Sequence, residues 1–243
     1  MERIGGTGDG TANDAMTMLP ARRGLRVVGD VHGDVAGFRA ALATDNFVIQ
    51  LGDLVDNGPD SAGALRLALD MQDEGRGLFL LGNHDHKLGR ALAGHAVTIG
   101  PELTATLAGL DPDLRDRTSR AIAAAPLWLR AGRIVFVHGG FHTAMLDHPA
   151  PRGLAGRAEG PVARALYGEP TGRTQPDGYP ERSLAWVDRI PAGFTVYCGH
   201  DRRSRDGRPW LCPGTAGGSA IFLDTGAGKG GHLSWIDLPA LMG

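Results

Sequence analysis

An apolar run leads directly into two potential metal ligands in the stretch Leu25-Arg26-Val27-Val28-Gly29-Asp30-Val31-His32-Gly33. A short apolar run that ends at glycine is typical of a buried strand. Asp30 and His32 are two residues apart, so both side chains point the same way if the strand continues, and Gly33 permits a turn after them. Taken alone, the stretch predicts either part of a metal site or an ordinary turn at the end of a strand.

Four later segments share this arrangement of an apolar run followed by ligand residues. They are Gly52-Asp53-Leu54-Val55-Asp56-Asn57-Gly58, Gly82-Asn83-His84-Asp85, Val137-His138-Gly139-Gly140 and Cys198-Gly199-His200, and the apolar runs span residues 47–51, 78–81, 134–137 and 194–197. Ligands gather outside the carboxyl ends of strands in open sheets. The five strands would therefore bring one set of side chains to a single rim: Asp30, His32, Asp53, Asn83, His138 and His200. These oxygen and imidazole ligands, with no thiolate among them, suit two divalent ions such as Mn, Fe or Zn.

The composition is that of an ordinary globular chain. Of the 243 residues, 42% are hydrophobic and 21% are charged, which allows one domain with a full core. The net charge of −2 and the aromatic content of 6% offer no basic surplus and no stacking platform, so we expect no strong nucleic-acid binding. No apolar segment approaches the ~20 residues of a membrane-spanning helix. Two cysteines, Cys198 and Cys212, are too few for a disulfide framework, so we expect a cytoplasmic protein without membrane association.

The pattern along the chain predicts α/β layering. Residues 1–22 lack the basic start and apolar core of a secretory signal, so we expect a flexible leader before a domain over residues 23–243. Amphipathic patterns predict helices over residues 34–45 and 59–74, with Pro59 in the first turn of the second helix. Alternation of these helices with the apolar strands favours helices layered on a sheet.

Two longer regions interrupt this alternation. Residues 86–133 have a mostly helical pattern, clearest over residues 111–125, and predict a helical insertion. Residues 147–182 are rich in Gly, Pro and Arg with few periodic apolar positions, so they predict a long loop or lid. The strand pattern returns at residues 219–224 and 232–238.

Together, the five segments resemble the motifs of the calcineurin-like metallophosphoesterases, in particular their phosphoprotein-phosphatase-like branch. The resemblance extends from about residue 25 to residue 238. Residues 165–172, 178–182, 186–187 and 197–200 are similar to a bacterial subgroup with serine/threonine-phosphatase-like enzymes and the phosphatase module of polynucleotide kinase-phosphatases, with diadenosine tetraphosphatases as nearby relatives. The resemblance implies a mixed α/β fold, a four-layer αββα sandwich with its metals at the rim between two sheets.

The resemblance also implies a role for each ligand residue. Asp30 and His32 would hold the first metal, Asp53 would bridge both, and three residues would complete the second: Asn83, His138 and His200. The cofactors would be two divalent ions, with Mn preferred over Fe, Zn or Ni. Without that context, Asp53 would be a turn or cap residue, and a lone histidine would more often be a satisfied core residue.

For catalysis, the resemblance implies attack by a metal-bridging hydroxide on phosphorus. His84 would protonate the leaving oxygen as general acid, Asp56 would hold its imidazole, and Asn83 would orient a phosphate oxygen. The simpler alternative is that His84 only supports the site and that Asp56 caps the helix after Pro59.

The substrate-binding residues depart from the family pattern at one position. Asn57 stands where the family has an arginine that binds phosphate, and a neutral amide cannot give the charged, bidentate grip of a guanidinium. Arg182 is a candidate to contact phosphate instead, and Arg202, Arg203 and Arg205 form a basic cluster that is either a substrate grip or a solvated turn. We expect His86 and Lys87 to face solvent.

The sequence favours a serine/threonine-phosphatase-like phosphomonoesterase that acts on a phosphorylated substrate. It leaves open a nucleotide, RNA-end or dinucleoside polyphosphate hydrolase, and a metal-binding regulator that has lost catalysis. The complete ligand set and the His84–Asp56 pair argue against the regulator, whose only support is Asn57.

Overall fold

The computed structural model describes residues 23–153, 158–175, 178 and 180–240. The leader predicted over residues 1–22 lies outside the described residues. The strands are β1 (Leu25–Val28), β2 (Phe47–Gln50), β3 (Gly77–Phe79), β4 (Trp128–Ala131), β5 (Ile134–Val137), β6 (Pro170–Thr174), β7 (Pro180–Arg182), β8 (Thr195–Cys198), β9 (Trp210–Pro213), β10 (Ser219–Phe222) and β11 (Trp235–Leu238). The helices are α1 (Val35–Ala41), α2 (Ser61–Asp73), α3 (Asn83–Leu92), α4 (Pro101–Ala108), α5 (Pro112–Ala124) and α6 (Gly160–Tyr167), with short 3₁₀ turns at Thr143–Leu146 and Val187–Arg189.

Two sheets carry the fold. The first has the strand order β11-β1-β2-β3, and the second has the order β4-β5-β8-β10-β9. The strands that precede ligand residues run parallel to one another within each sheet: β1, β2 and β3 in the first, and β5 and β8 in the second. Their carboxyl ends therefore meet at one edge of each sheet.

The sheets pack face to face, and helices cover their outer faces. Strand residues alternate between the two sides, as the period of two of a strand requires. Val27 and Phe136 belong to the core between the sheets, whereas Val28 and Val135 belong to the core under the helices. Helices α1 and α2 contribute Phe38, Leu65 and further apolar residues to the layer over the first sheet. The result is a helix–sheet–sheet–helix sandwich, as the sequence predicts.

The first strands and helices match their predictions closely. Strands β1 and β5 have the predicted bounds, and α1, α2 and α5 lie within the predicted helical ranges. Pro59 is not in the first turn of α2, however, because the helix begins at Ser61 after the cap Asp60, whose carboxylate accepts from the Gly63 N–H at 2.7 Å. The predicted helical insertion comprises α3, α4 and α5, and α5 is tied to α2 by Arg117, which binds Asp70 and Asp73.

The prediction of a long loop over residues 147–182 was wrong in part. Where described, this region holds helix α6 and the antiparallel hairpin of β6 and β7. Every residue of β6 is exposed, so this strand carries no alternating apolar pattern. Helix α6 has apolar residues at helical spacing, Val162, Ala165 and Leu166, but this pattern spans little more than one turn. None of the helices in the described residues is long and apolar enough to cross a bilayer.

Candidate metal centre

The six predicted metal ligands converge at the rim where the two sheets meet. The Asp53 carboxylate lies at the middle, 3.7 Å from His32 Nε2 and 3.5 Å from His138 Nε2. Two overlapping groups each place three possible ligand atoms within 4.8 Å of one another, and Asp53 belongs to both: His32, Asp53 and His84 in one, and Asp53, His138 and His200 in the other. This is the arrangement expected of a carboxylate shared between two ions.

Around His138, three possible ligand atoms lie close together. His138 Nδ1–H donates to the carbonyl oxygen of Leu51 at 3.0 Å, which leaves Nε2 unprotonated. That Nε2 lies 3.0 Å from Asn83 Oδ1 and 3.2 Å from His200 Nδ1. An amide oxygen and an unprotonated imidazole nitrogen cannot hydrogen-bond to each other, so their close approach fits a shared cation.

A second such convergence surrounds His32. Its Nδ1–H donates to the carbonyl oxygen of Val55 at 2.9 Å, so Nε2 carries a lone pair. This Nε2 is buried without a hydrogen-bond partner among the described residues, and it lies 4.0 Å from an oxygen of Asp30 and 3.7 Å from one of Asp53. A buried nitrogen lone pair between two carboxylates is costly unless a cation sits among them.

The pKa shifts at the site also favour bound cations. Burial raises the pKa of Asp30 well above its usual range, and the neighbouring carboxylates of Asp224 and Asp53 raise it further. Burial also lowers the pKa of His138, and that of His200 well below its usual range, which keeps both imidazoles neutral and able to coordinate. The residues present therefore fit two divalent ions.

The backbone is strained at this rim. In the described part of the chain, five non-glycine residues have positive φ, and all belong to the predicted site: His32, Asp53, Asp56, Asn57 and His200, with φ between 45° and 66°. Left-handed backbone at ordinary residues costs energy and persists where the surrounding structure imposes it.

Glycines let the loops approach closely enough to form the site. Gly52 has φ +97°, and a Cβ there would lie 2.5 Å from the Gly82 nitrogen. Asp85 secures this junction from α3, since its buried carboxylate accepts from the backbone N–H groups of Asp53, Leu54 and Gly82. These contacts hold Asp53 and the start of α3, where Asn83 lies, in a fixed relation.

His84 and Asp56 form the predicted pair. His84 Nδ1–H donates to Asp56 Oδ2 at 2.7 Å, so the imidazole offers Nε2 to the cavity in front of it. Burial lowers the pKa of His84, but the charges of Asp53 and Asp56 outweigh it and the net pKa is raised. Burial likewise opposes the ionised form of Asp56, while hydrogen bonds from His84 and Thr106 bring its pKa below the usual value. Asp56 does not cap α2, because Asp60 does.

A cavity of about 1010 Å³ opens in front of these ligands. Five cationic side chains line it: Arg173, Arg182, Arg202, Arg203 and Lys229. Arg173 is paired with Glu181 and Arg203 with Asp201. Tyr167 supplies the phenol ring among the described lining residues. Among the arginines that the sequence suggested as phosphate contacts, Arg182, Arg202 and Arg203 line the cavity.

Asn57 and His86 lie away from the large cavity. Asn57 lines a second cavity of about 330 Å³, and its amide nitrogen lies 3.2 Å from His32 Nδ1, so its substrate-binding role stays a prediction. The expectation that His86 faces solvent was wrong, since it is 4% exposed on the buried side of α3.

Sequence reasoning missed several residues of the site. Asp224 and Lys229 come from the segment between β10 and β11, and Thr106 and Ser61 come from α4 and the start of α2. Asp224 directly follows the apolar run of residues 220–223, so a local signal was present there, whereas Lys229, Thr106 and Ser61 follow no such strand.

Comparison with known proteins supports this description. The family model described as calcineurin-like phosphoesterase matches residues 25–206. A bis(5'-nucleosyl)-tetraphosphatase PrpE [asymmetrical] from Geobacillus thermodenitrificans is 28% identical over 89% of this chain and 91% of its own length. The protein of the same description from Geobacillus sp. strain WCH70 is 30% identical over 79% of this chain and 75% of its own length. A serine/threonine phosphatase structure from Saccharomyces cerevisiae has the same fold, with a TM-score of 0.60 and 15% sequence identity. The match covers 94% of this chain and 82% of the yeast protein's chain.

The chain belongs to the calcineurin-like phosphoesterases. It is a metal-dependent hydrolase of phosphoric esters with the αββα fold, so the predicted family, fold and enzyme class are confirmed.

Proposed function

We propose that this phosphoesterase hydrolyses dinucleoside polyphosphates, one of the alternatives left open by the sequence. The observation that carries the proposal is the large cavity, which combines the candidate metal ligands, an excess of arginine and lysine, and one aromatic ring. A polyphosphate chain needs several cations along its length, and a nucleobase stacks on an aromatic face. The descriptions of the two Geobacillus relatives support the same substrate class.

The cations are placed to extend phosphate binding away from the metals. Arg182 and His200 line the same cavity, and the charge of Arg182 adds to the lowering of the His200 pKa that burial causes. Arg202, which also lines the cavity, packs over Gly226, where a Cβ would lie 2.8 Å from the guanidinium carbon. Tyr167 ends α6 and is 39% exposed, which leaves ring surface available to a base.

We assign the candidate ligands to two ions. Asp30, His32 and Asp53 would hold the first ion, while Asp53 would share the second with Asn83, His138 and His200. When bound, the ions supply Lewis-acid polarisation of the phosphoryl oxygens and an activated water. The mixture of carboxylate, amide and neutral imidazole ligands favours Mn, with Fe, Zn or Ni as alternatives.

His84 supplies the proton for the leaving group in this proposal. With Nδ1–H engaged by Asp56, the second proton of the imidazolium sits on Nε2, which faces the cavity. The negative charge of Asp56 stabilises that protonated form before transfer. Asn83 and Arg182 orient the phosphoryl oxygens, so that the leaving oxygen is directed toward His84.

The test compares three substrates with metal-stripped protein, to which Mn, Fe, Zn or Ni is added back singly. We expect a dinucleoside tetraphosphate to be hydrolysed with kcat/KM more than about 10-fold above p-nitrophenyl phosphate and a phosphoserine peptide. Chromatography should show one nucleoside monophosphate and one triphosphate. Asp53→Asn, which removes the shared carboxylate, should abolish turnover of all three substrates.

Other outcomes separate the alternatives. Preference for the phosphopeptide would favour the serine/threonine-phosphatase-like function that the sequence favours, and would contradict our substrate assignment. Unchanged turnover in Asp53→Asn would contradict the assignment of the metal site.

We also propose a cytoplasmic location and a single domain over residues 23–243. Cys198 and Cys212 are both free thiols, which supports a reducing compartment.

A further inference from the structure

The helical insertion makes a buried polar contact with the catalytic pair. Thr106, on α4, donates its hydroxyl proton to Asp56 Oδ1 at 2.7 Å. The two residues are 50 positions apart in the sequence, and Thr106 is 3% exposed. Asp56 is 2% exposed, so its oxygens have little access to water. Thr106 therefore supplies a hydrogen bond to the buried Oδ1 of Asp56.

The hydrogen-bond network around this contact closes on itself. The Asp56 N–H donates to Ser61 Oγ at 2.9 Å, and Ser61 Oγ lies 3.0 Å from Thr106 Oγ1. A hydroxyl has one proton, and the carboxylate takes that of Thr106, so the Ser61 hydroxyl donates to Thr106. Each group in the ring thus donates once and accepts once, which fixes the direction of every bond.

This ring holds the carboxylate from the side opposite the imidazole. Oδ2 accepts from His84 Nδ1 at 2.7 Å, while Oδ1 accepts from Thr106. The terminal torsion of an aspartate is broad, so a carboxylate held at one oxygen only can rotate. Rotation would misalign His84 Nδ1–H and, with it, the direction in which Nε2 points.

We propose that Thr106 is a positioning residue, which holds Asp56 so that His84 presents its Nε2 proton to the leaving oxygen. The inference rests on the proposed role of His84 as proton donor. It makes the helical insertion part of the catalytic apparatus, because Thr106 on α4 contacts both Asp56 and Ser61 at the start of α2.

A second buried threonine of the insertion provides a control, because its hydroxyl makes no hydrogen bond within the described residues. Thr118, on α5, is 0% exposed, and its hydroxyl has no hydrogen-bond partner among the described residues. Thr118→Val is therefore a matched control for Thr106→Val: both changes remove one buried hydroxyl from the same insertion, but only the second breaks the contact with Asp56.

The experiment uses leaving groups of different basicity, because a general acid matters most when the departing oxygen is a strong base. Phenyl phosphate needs a proton on its leaving oxygen, whereas p-nitrophenyl phosphate departs without one. On the full chain with its metal, we expect Thr106→Val to lower kcat roughly 10- to 100-fold for phenyl phosphate and less than about 3-fold for p-nitrophenyl phosphate, with KM unchanged. Thr106→Ser keeps the hydroxyl and should restore kcat to within about 3-fold, and Thr118→Val should leave both rates unchanged.

His84→Ala distinguishes failure of this inference from failure of the proposed function. If His84→Ala lowers both rates equally, the proton-donor role itself is wrong. If His84→Ala discriminates between the two substrates but Thr106→Val does not, only the positioning role is overturned. Equal losses on both substrates in Thr106→Val, together with a lower Tm, would also overturn it, because they would show a structural role.

Discussion

Lys229 places an exposed positive charge beside the buried residues of the described site. Burial lowers the pKa of His32, and the Lys229 charge adds to that lowering, so the ammonium is close to the metal ligands. Its side chain is exposed and lines the large cavity. A lysine in this setting attracts phosphate as a point charge, and it offers the cationic contact that Asn57 cannot.

We therefore expect Lys229→Met to raise KM for a dinucleoside tetraphosphate about 10-fold with little change in kcat. The salt dependence of KM should weaken in the variant, because one screened attraction is lost. Arg205→Met is the control, since Arg205 is an exposed cation from the same basic cluster that is not among the described cavity-lining residues. An equal effect of both substitutions would show that only overall charge matters.

Gly199 is a residue whose missing side chain makes room for a ligand. A Cβ at this position would lie 2.0 Å from Asp30 Oδ1, and the next N–H, that of His200, donates to both oxygens of Asp30 at 3.0–3.1 Å. Because Asp30 is buried, its carboxylate cannot move aside without leaving the site.

Gly199→Ala should therefore reduce bound metal from two ions to about one per chain, with roughly 1–3 kcal/mol of destabilisation from overpacking. Metal analysis after gel filtration and urea unfolding measure the two effects. Gly109→Ala is the control, because the nearest atom to a Cβ there is at 3.5 Å, an ordinary contact. Full metal content in Gly199→Ala would show that Asp30 is not a ligand.

At the scale of elements, helix α6 is anchored by one carboxylate. Glu169 accepts from Arg189 at 2.7–2.8 Å and pairs with Arg164, on α6, at 2.9 Å. Burial opposes the charged form, but the two arginines outweigh it and lower the pKa of Glu169. Since α6 bears Tyr167 at its end, the anchor also fixes one wall of the cavity.

A lowered pKa in the folded state means that Glu169 stabilises the fold above the unfolded pKa of about 4.3, and that this contribution is lost as pH falls through the folded value. We expect Glu169→Gln to cost about 0.5–1 kcal/mol at pH 7 and less at pH 3.5. Urea unfolding of both proteins at each pH gives the difference. A cost that is the same at both pH values would contradict an ionic anchor.

The elements also show which parts of this structure a sequence can predict. β1 and β5 are short apolar runs, so local pattern alone predicted both strands. The ligand roles of Asp30 and His138, which follow them, came from the resemblance of the five motifs together and stay predictions. Thr106 and Lys229 lie in a helix and a loop with no such pattern, and they reach the rim only through the packing of distant elements. The hairpin of β6 and β7 was missed for a related reason, because its solvated first strand has no buried face to impose an alternating pattern.

At the scale of the whole molecule, the candidate metal centre lies where the two sheets meet and draws its residues from both. Asp30, His32, Asp53 and Asn83 follow strands of the first sheet, and His138 and His200 follow strands of the second. The site buries Asp30, whose pKa is raised by burial and by the charges of Asp224 and Asp53, and imidazole nitrogens of His32 and His200 that have no hydrogen-bond partner among the described residues. Bound ions would relieve this repulsion and at the same time tie one sheet to the other.

Removal of metal should therefore destabilise the entire fold rather than the rim alone. An ion present at 100 times its Kd stabilises the folded state by about 2.7 kcal/mol, which corresponds to roughly 5–10 °C in Tm for a chain of this size. We expect a chelator to lower Tm by at least this amount in one cooperative transition, and Mn to restore it. Asp53→Asn should show no such shift, because the shared carboxylate is gone and neither sheet retains a complete ligand set. A chelator effect of equal size in Asp53→Asn would mean that the stabilising ions bind elsewhere. If the chelator abolishes the activity of the unsubstituted protein without any change in its Tm, the ions do not connect the sheets.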